Sequence, residues 1–128
     1  MEGCPLCNLA LQEGQQVVLQ NQLCRFLQIP QEVLIGSGLI VPIAHRETVF
    51  DVTPEEWTAT YEMLQEVKAL LEEQYKPGGY TIGWNCGTAG GQHIMHAHLH
   101  IIPRFQDEPL AGKGIRNWLK SKENQRKI

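Results

Sequence analysis

The chain has 128 residues, of which 42% are hydrophobic and 20% are charged, and its formal net charge is −3. This length supports one domain around one hydrophobic core, so residues 1–128 are treated as a single domain. Residues 113–128 form a basic tail with 6 basic and 1 acidic side chains, whereas residues 1–112 have 5 basic and 13 acidic ones. The acidic body argues against nucleic-acid binding, and the lack of a long apolar run argues against membrane insertion.

The first residues lack the basic start and apolar core of a secretory signal, which leads us to expect a cytoplasmic protein. Structural disulfides are not expected in that reducing compartment. Cys4 and Cys7 form a Cys-x-x-Cys pair that is interpreted as a metal site, a redox pair or two free thiols. Cys24 and Cys86 are interpreted as small buried apolar residues.

The first half of the chain predicts three strands and one long helix. Residues 16–20 and 23–27 are apolar runs separated by a short polar turn, which predicts a β-hairpin, and residues 38–42 predict a third strand that Pro42 either ends or places at an edge. Thr53 and Pro54 give a helix start with a glutamate at the capping-box position, and a proline and two glycines from Pro77 onward stop the run. Trp57, Tyr61 and Leu64 recur at helical spacing along it.

The second half predicts two more strands around a glycine-rich loop. Residues 80–84 are expected to form a strand, residues 85–92 the loop, and residues 95–102 the last strand, ended by Pro103. A short helix is expected from residue 115 to about 122 in the basic tail. These elements together predict an α+β fold, in which the long helix covers a mostly antiparallel five-stranded sheet.

Four of the five histidines lie within residues 93–100. Because strand side chains alternate, His96, His98 and His100 are expected on one face, with Ala97 and Leu99 on the other. Partly exposed strand residues or an incidental metal-binding row would explain this pattern less well, since adjacent imidazoles repel one another when protonated. The preceding glycines let backbone N–H groups approach a phosphate, so the row is interpreted as a site that attacks a bound anion.

The segment from His96 to Ile102 resembles the motif of the histidine-triad (HIT) family, in which three histidines alternate with apolar residues. The resemblance extends over most of the chain outside the basic tail. It implies a nucleotide hydrolase or transferase, similar to nucleoside phosphoramidases, that acts on a purine nucleotide derivative through a covalent nucleotidyl-His98 intermediate. It also implies a homodimer formed through the long helix and an edge strand.

The same resemblance implies roles for the neighbouring residues. His100 would contact phosphate oxygens, the carbonyl beside His96 would orient His98, and Asn85, Gly91 and Gln92 would face the phosphate region. His93 stands where relatives often have a hydroxyl residue, so it is either a general acid or a simple strand cap. Gln28 stands where relatives often have an aspartate that binds ribose. Zinc would be structural in relatives of this type, with matching ligands at Cys4, Cys7, His45 and His96.

Two other functions stay open at this stage. The ending of the last strand at Arg104 is similar to dinucleoside polyphosphate hydrolases, where a basic residue beyond the triad would meet additional phosphates. A nucleotide-binding regulatory module without catalysis is the second alternative. It is disfavoured because binding alone does not require a free nucleophile.

Overall fold

The computed structural model describes residues 1–128 and contains five strands and two α-helices. The strands are β1 (Gln16–Gln20), β2 (Cys24–Gln28), β3 (Gly38–Pro42), β4 (Gly79–Trp84) and β5 (Leu99–Arg104), and the helices are α1 (Pro54–Tyr75) and α2 (Arg116–Leu119). The strands form one sheet in the order β1-β2-β3-β5-β4, with every neighbouring pair antiparallel. The predicted α+β architecture is therefore confirmed.

Helix α1 begins as the sequence predicted, because its first turn satisfies its own free backbone donors. Thr53 Oγ1 accepts from the backbone N–H of Glu56, and the Glu56 carboxylate accepts from the N–H of Thr53. This reciprocal capping box, with Pro54 at the first helical position, fixes where the helix starts. None of the helices combines the length and apolar character needed to cross a membrane.

Each face of the sheet has its own apolar cluster. On one face, Met63, Val67 and Leu71 of α1 pack against buried strand residues such as Phe26 and Ile101. Each such side chain contributes about 1.5–3 kcal/mol to folding when fully buried. On the other face, the N-terminal segment covers the sheet through Cys4, Leu6, Leu27 and Val41. The Cys-x-x-Cys pair thus lies on the face opposite α1.

The apolar residues of α1 divide into a buried part and an exposed part, and the predicted stripe of Trp57, Tyr61 and Leu64 does not coincide with the buried part. Met63, Val67 and Leu71 are fully buried, whereas Trp57 and Tyr61 are 53% and 61% exposed. These two aromatic side chains are therefore not core residues of the single chain, and they lie beside the edge strand β4.

The last strand starts and ends later than the sequence predicted. Strand pairing begins at Leu99, so His96 and His98 lie in the extended segment that precedes β5. Pro103 does not end the strand, which continues to Arg104. Pro103 pairs with Tyr80 of β4 and lies beyond the residues of β5 that pair with β3. On the side of β3 there is no strand at this position, so the missing N–H of proline breaks no hydrogen bond there.

Candidate active site and metal centre

His98 is held in the orientation and tautomer that a nucleophilic imidazole requires. Its Nδ1 lies 2.8 Å from the backbone carbonyl oxygen of His96, and its side chain is almost wholly buried. A carbonyl can only accept a hydrogen bond, so Nδ1 carries the proton. The lone pair of Nε2 is then free to attack an electrophile.

His100 stands beside His98, with 4.9 Å between the ring centroids. Its Nε2 lies 3.4 Å from Nδ2 of Asn85, which follows strand β4. Burial lowers the pKa of His100, and the neighbouring imidazole of His98 lowers it further. A neutral ring at pH 7 avoids repulsion within the row and leaves a ring N–H for a phosphate oxygen.

The glycine-rich loop places its backbone next to this pair of imidazoles. Gly87 and Gly91 have φ values of 75° and 95°, a region that L-residues with a side chain rarely adopt. A short 3-10 turn, Thr88–Gly90, connects them. At Gly91 a Cβ atom would lie only 3.6 Å from the Asn85 side chain, so the loop packs closely against the residue that contacts His100.

Gln92 does not face the phosphate region, although the resemblance implied that it would. The residue is fully buried, and its Nε2 donates to the carbonyl oxygens of Glu47 at 2.7 Å and Ile94 at 3.0 Å. Its Oε1 accepts from the Gly87 N–H at 2.8 Å. The amide therefore holds the base of the glycine loop in place and has no donor left for a ligand.

Two further predicted residues lie apart from the row of imidazoles. His93 is exposed, makes no side-chain hydrogen bond, and its role stays a prediction. Gln28 donates from Nε2 to the carbonyl oxygen of Gly36 at 3.0 Å. Its side chain supports the loop between β2 and β3 instead of lining the cavity next to His100. The amide nitrogen of Gln28 is thus engaged within the β2–β3 loop, and its role toward a ribose stays a prediction.

That cavity, of about 270 Å³, contains the residues that sequence reasoning missed. His100 lies at its wall together with apolar side chains from three strands and the β2–β3 loop: Leu27, Ile29, Leu34, Leu39 and Ile102. Gln15, Gln31 and Ser37 supply polar groups. Only the alternation of β2, β3 and β5 could have pointed to these positions. An apolar cleft with a few polar groups is typical of a site for a small organic ligand.

A second cluster brings together the four predicted metal ligands, Cys4, Cys7, His45 and His96. One donor atom from each lies within 4.8 Å of every other. The Nδ1 atoms of the two histidines are 3.2 Å apart, and Cys7 Sγ lies 3.2 Å from His45 Nδ1 and 3.4 Å from His96 Nδ1. A tetrahedral zinc with bonds of about 2.0–2.3 Å separates its ligand atoms by about 3.4–3.8 Å. The four residues therefore fit a zinc ion.

The hydrogen bonds of His96 favour metal binding over other uses of this ring. Its Nε2 lies 2.8 Å from the carbonyl oxygen of Pro42, so Nε2 carries the proton and the Nδ1 lone pair faces the cysteines. The pKa of His96 is lowered, mainly by burial, so the ring is neutral as a metal ligand must be. The backbone carbonyl of this same residue accepts from His98, which links the two sites.

The segment after His45 ties the metal cluster to the rest of the site. The backbone carbonyl oxygen of Arg46 accepts from the Ala97 N–H at 2.7 Å. The side-chain Nε of Arg46 donates to Glu56 Oε1 at 2.9 Å. Burial alone would raise the pKa of Glu56, but the hydrogen bonds from Arg46 and Thr53 outweigh it and lower that pKa. Helix α1 is thus anchored to the histidine segment by a carboxylate that is charged at neutral pH.

Arg104 is not available to additional phosphates, as the dinucleoside polyphosphate alternative would require. Its Nε donates to Glu108 at 3.0 Å, and its two other nitrogens donate to Thr81 and to the carbonyl oxygens of Leu110 and Lys113. All three guanidinium nitrogens have partners in this chain, so Arg104 organises the start of the basic tail.

Three curated proteins with similar sequences illustrate the range of relatives. A Bacillus subtilis protein named "Protein hit" is 28% identical over 106 residues, covering 81% of this chain and 72% of the relative. The asymmetrical bis(5'-nucleosyl)-tetraphosphatase of Schizosaccharomyces pombe is 30% identical, covering 71% of this chain and 50% of the relative. The bis(5'-adenosyl)-triphosphatase of Dictyostelium discoideum is 36% identical, covering 59% and 48%. The chain spans about half the length of these two hydrolases.

Solved structures share the fold at lower identity. A histidine triad nucleotide-binding protein from Sulfolobus tokodaii matches with a TM-score of 0.73 and 23% identity, over 82% of this chain and 71% of that one. A zinc-bound histidine triad protein from Mycobacterium smegmatis matches with a TM-score of 0.74 and 21% identity, over 87% and 81%. The HIT domain family model matches residues 11–107, and the chain therefore belongs to the HIT family.

Proposed function

We propose that this chain is a hydrolase that acts at the α-phosphate of a purine nucleotide derivative through a covalent nucleotidyl-His98 intermediate. The observation that carries the proposal is the 2.8 Å hydrogen bond from His98 Nδ1 to the carbonyl of His96, which leaves Nε2 unprotonated. A neutral, oriented imidazole is a good nucleophile at pH 7. Binding alone would not need this arrangement, which disfavours the non-catalytic nucleotide-binding module.

The reaction follows in two displacements at phosphorus. Nε2 of His98 forms a bond to the α-phosphorus while the bond from phosphorus to the leaving amine breaks, and the amine takes a proton from solvent. Water then attacks the same phosphorus, loses a proton to solvent, and releases the nucleoside monophosphate from His98. Asn85, His100 and the N–H groups around Gly91 stabilise the charge on the phosphate oxygens in both steps. His93 stays a prediction as an added general acid.

Zinc would be held by Cys4, Cys7, His45 and His96. Four protein ligands complete a tetrahedron and leave no open position, so the ion would supply structural stability and not a bound nucleophile. The structural neighbour from Mycobacterium smegmatis, which is described as zinc-bound, supports this role. His96 then acts on catalysis through its backbone carbonyl, which the metal would keep in register with His98.

A phosphoramidate is the leading substrate, and a dinucleoside polyphosphate is the second candidate. Two relatives are named as hydrolases of dinucleoside polyphosphates, which favours the second. In this chain, however, each guanidinium nitrogen of Arg104 already donates within the protein, which disfavours this residue as a contact for additional phosphates. Turnover of adenosine 5'-phosphoramidate and diadenosine triphosphate, compared at equal concentration, separates the two.

A homodimer completes the proposal. Trp57 and Tyr61 of α1 lie beside Ile82 and Trp84 of the edge strand β4, and the two tryptophan rings stack with 6.1 Å between centroids. Exposed aromatic residues next to an unpaired sheet edge are typical of a protein interface. We expect two copies to associate through this surface.

Trapping of the intermediate tests the proposal. The protein is mixed with adenosine 5'-phosphoramidate, quenched in alkaline denaturant within the first turnovers, digested and analysed by mass spectrometry. We expect an AMP adduct on His98 that is absent from His98→Asn. An adduct on His93, or hydrolysis without any adduct on histidine, contradicts the assignment. Nucleotide binding without turnover of any substrate would instead support the non-catalytic module.

A further inference from the structure

The cavity next to His100 has the dimensions and lining of a site for a flat aromatic base. Its volume is about 270 Å³, and five aliphatic side chains contribute to its walls. If His98 attacks the α-phosphate, the nucleoside attached to that phosphate extends away from the imidazoles and enters this cavity. The inference below therefore rests on the proposed function, and it concerns which base the cavity selects.

Gln15 lines this cavity, and one polar atom of its side chain has no partner in the protein. Its Nε2 donates to the carbonyl oxygen of Pro5 at 3.0 Å and to that of Leu9 at 3.5 Å. Both partners are carbonyls, which only accept, so the orientation of the amide is fixed: the nitrogen faces the N-terminal segment. The carbonyl oxygen Oε1 remains as an unpaired acceptor on a half-buried side chain.

The other glutamine of the cavity does not offer such an atom. Gln31 accepts from the Leu34 N–H through Oε1 at 3.3 Å and donates to Ser37 Oγ through Nε2 at 3.4 Å. Both ends of that amide are engaged within the β2–β3 loop. Of the two glutamines, Gln15 is the one whose amide oxygen has no hydrogen-bond partner in the protein.

We propose that Gln15 makes the cavity selective for adenine by accepting a hydrogen bond from the exocyclic amine at C6. Hypoxanthine has the same shape but carries a carbonyl oxygen at C6, which would place two acceptors against each other. A purine without a substituent at C6 removes the donor without adding a second acceptor. The structure thus predicts a graded preference: adenine first, unsubstituted purine second and hypoxanthine last.

The test compares kcat/KM for three 5'-phosphoramidates, those of adenosine, purine riboside and inosine. A neutral hydrogen bond contributes about 1 kcal/mol, which is about fivefold in kcat/KM, so we expect adenosine to exceed inosine by at least about fivefold, with purine riboside between them. Dissociation constants for AMP and IMP, measured by calorimetry, should differ in the same direction. The binding comparison reports on Gln15 even if no phosphoramidate is turned over.

Gln15→Lys removes the acceptor but keeps a donor for the carbonyls of Pro5 and Leu9. This variant should lose or reverse the preference for adenosine over inosine, and Gln15→Met should lose it. Gln31→Met is the matched control, a cavity glutamine whose amide oxygen already accepts from Leu34, and it should change the ratio of adenosine to inosine turnover less than the Gln15 variants do. Thermal unfolding of each variant verifies that it is folded.

Equal kcat/KM for adenosine and inosine substrates in the wild type, or a preference that persists in both Gln15 variants, overturns the inference. Formation of the His98 adduct from both nucleotides at equal rates would leave the proposed function intact while refuting the role of Gln15. A clear preference for AMP over IMP without any adduct would support the role of Gln15 while refuting the proposed function.

Discussion

Removal of one thiol from the metal cluster should abolish most of the stabilisation of the folded state by zinc. In Cys4→Ser the four-ligand set loses a donor that is 9% exposed and lies 3.5 Å from His96 Nδ1. The donor-atom distances that involve His45 and His96, 3.2–3.5 Å, are within a few tenths of an ångström of those in a tetrahedral zinc site, so these ligands need little rearrangement. We therefore expect tight binding by the wild type and a large loss in the variant.

The magnitude follows from the linkage between binding and folding. Zinc at about 1,000 times its dissociation constant stabilises the folded state by about 4 kcal/mol. For a chain of 128 residues, the entropy of unfolding near 60 °C is about 0.27 kcal/mol per kelvin. The melting temperature of the wild type should therefore fall by about 15 °C when zinc is removed by a chelator, and Cys4→Ser should already melt near the lower value.

Elemental analysis and thermal unfolding, with and without chelator, measure both quantities. Cys86→Ser is the control, because Cys86 lies outside the cluster. The Cys86→Ser protein should retain about one zinc per chain. Burial, followed by the neighbouring Cys4, raises the pKa of Cys7, so its thiol is protonated before metal binds and zinc uptake at pH 7 should release protons. Zinc-free wild-type protein with a melting temperature unaffected by chelator would refute the reasoning.

Four further predictions concern other parts of the molecule. Glu56→Gln should lower the unfolding free energy by about 2 kcal/mol at pH 7 in chemical denaturation. Because the pKa of Glu56 is lowered in the folded state, the difference should begin to shrink as the pH falls below about 4.3 and should be lost as the pH passes the folded-state pKa, and a difference that does not change with pH contradicts the role of the Arg46 pair. Gln92→Met should reduce kcat and leave the zinc content unchanged, because the amide supports the glycine loop. An unchanged kcat contradicts this role. Trp57→Glu should shift the protein from dimer to monomer in analytical ultracentrifugation, and a dimer that survives rules out this interface. The imidazole of His100 should titrate below 6.5 by NMR, because burial favours its neutral form, and a midpoint above that value is inconsistent with the geometry.

The elements with strong local signals were predictable from the sequence. The capping box at Thr53 and the proline at Pro54 satisfy backbone groups within a few residues, so they determine the start of α1 without help from the rest of the fold. The β3 strand ends at Pro42 and is not an edge strand, which is one of the two outcomes predicted for that proline. Sequence features that act within one turn or one strand therefore predicted these element boundaries correctly.

The boundaries of β5 and the position of the exposed aromatics depend on tertiary neighbours. Whether Pro103 ends β5 depends on which side of the strand is paired, and that is decided by the length of β3. Trp57 and Met63 both have apolar character, yet only Met63 meets the sheet. A sequence period identifies an apolar stripe but does not show how wide a face the sheet covers.

The candidate site shows the same division. The alternation of His96, His98 and His100 predicted a row of imidazoles, and the structure places His98 and His100 side by side. Gln92 was expected at the phosphate, and its burial became visible only when the carbonyls of Glu47 and Ile94 were placed around it. Gln15 gave no signal at all, since its place at the cavity wall depends on residues from distant strands.

The stereochemical course at phosphorus tests the central claim, the covalent intermediate on His98, most directly. A nucleotide substrate with a chiral α-phosphorus, made with sulfur and an oxygen isotope, is hydrolysed and the configuration of the product is determined by NMR. Two successive displacements, first by His98 and then by water, predict overall retention of configuration. Inversion would mean that water attacks the substrate in a single step, and it would contradict the account.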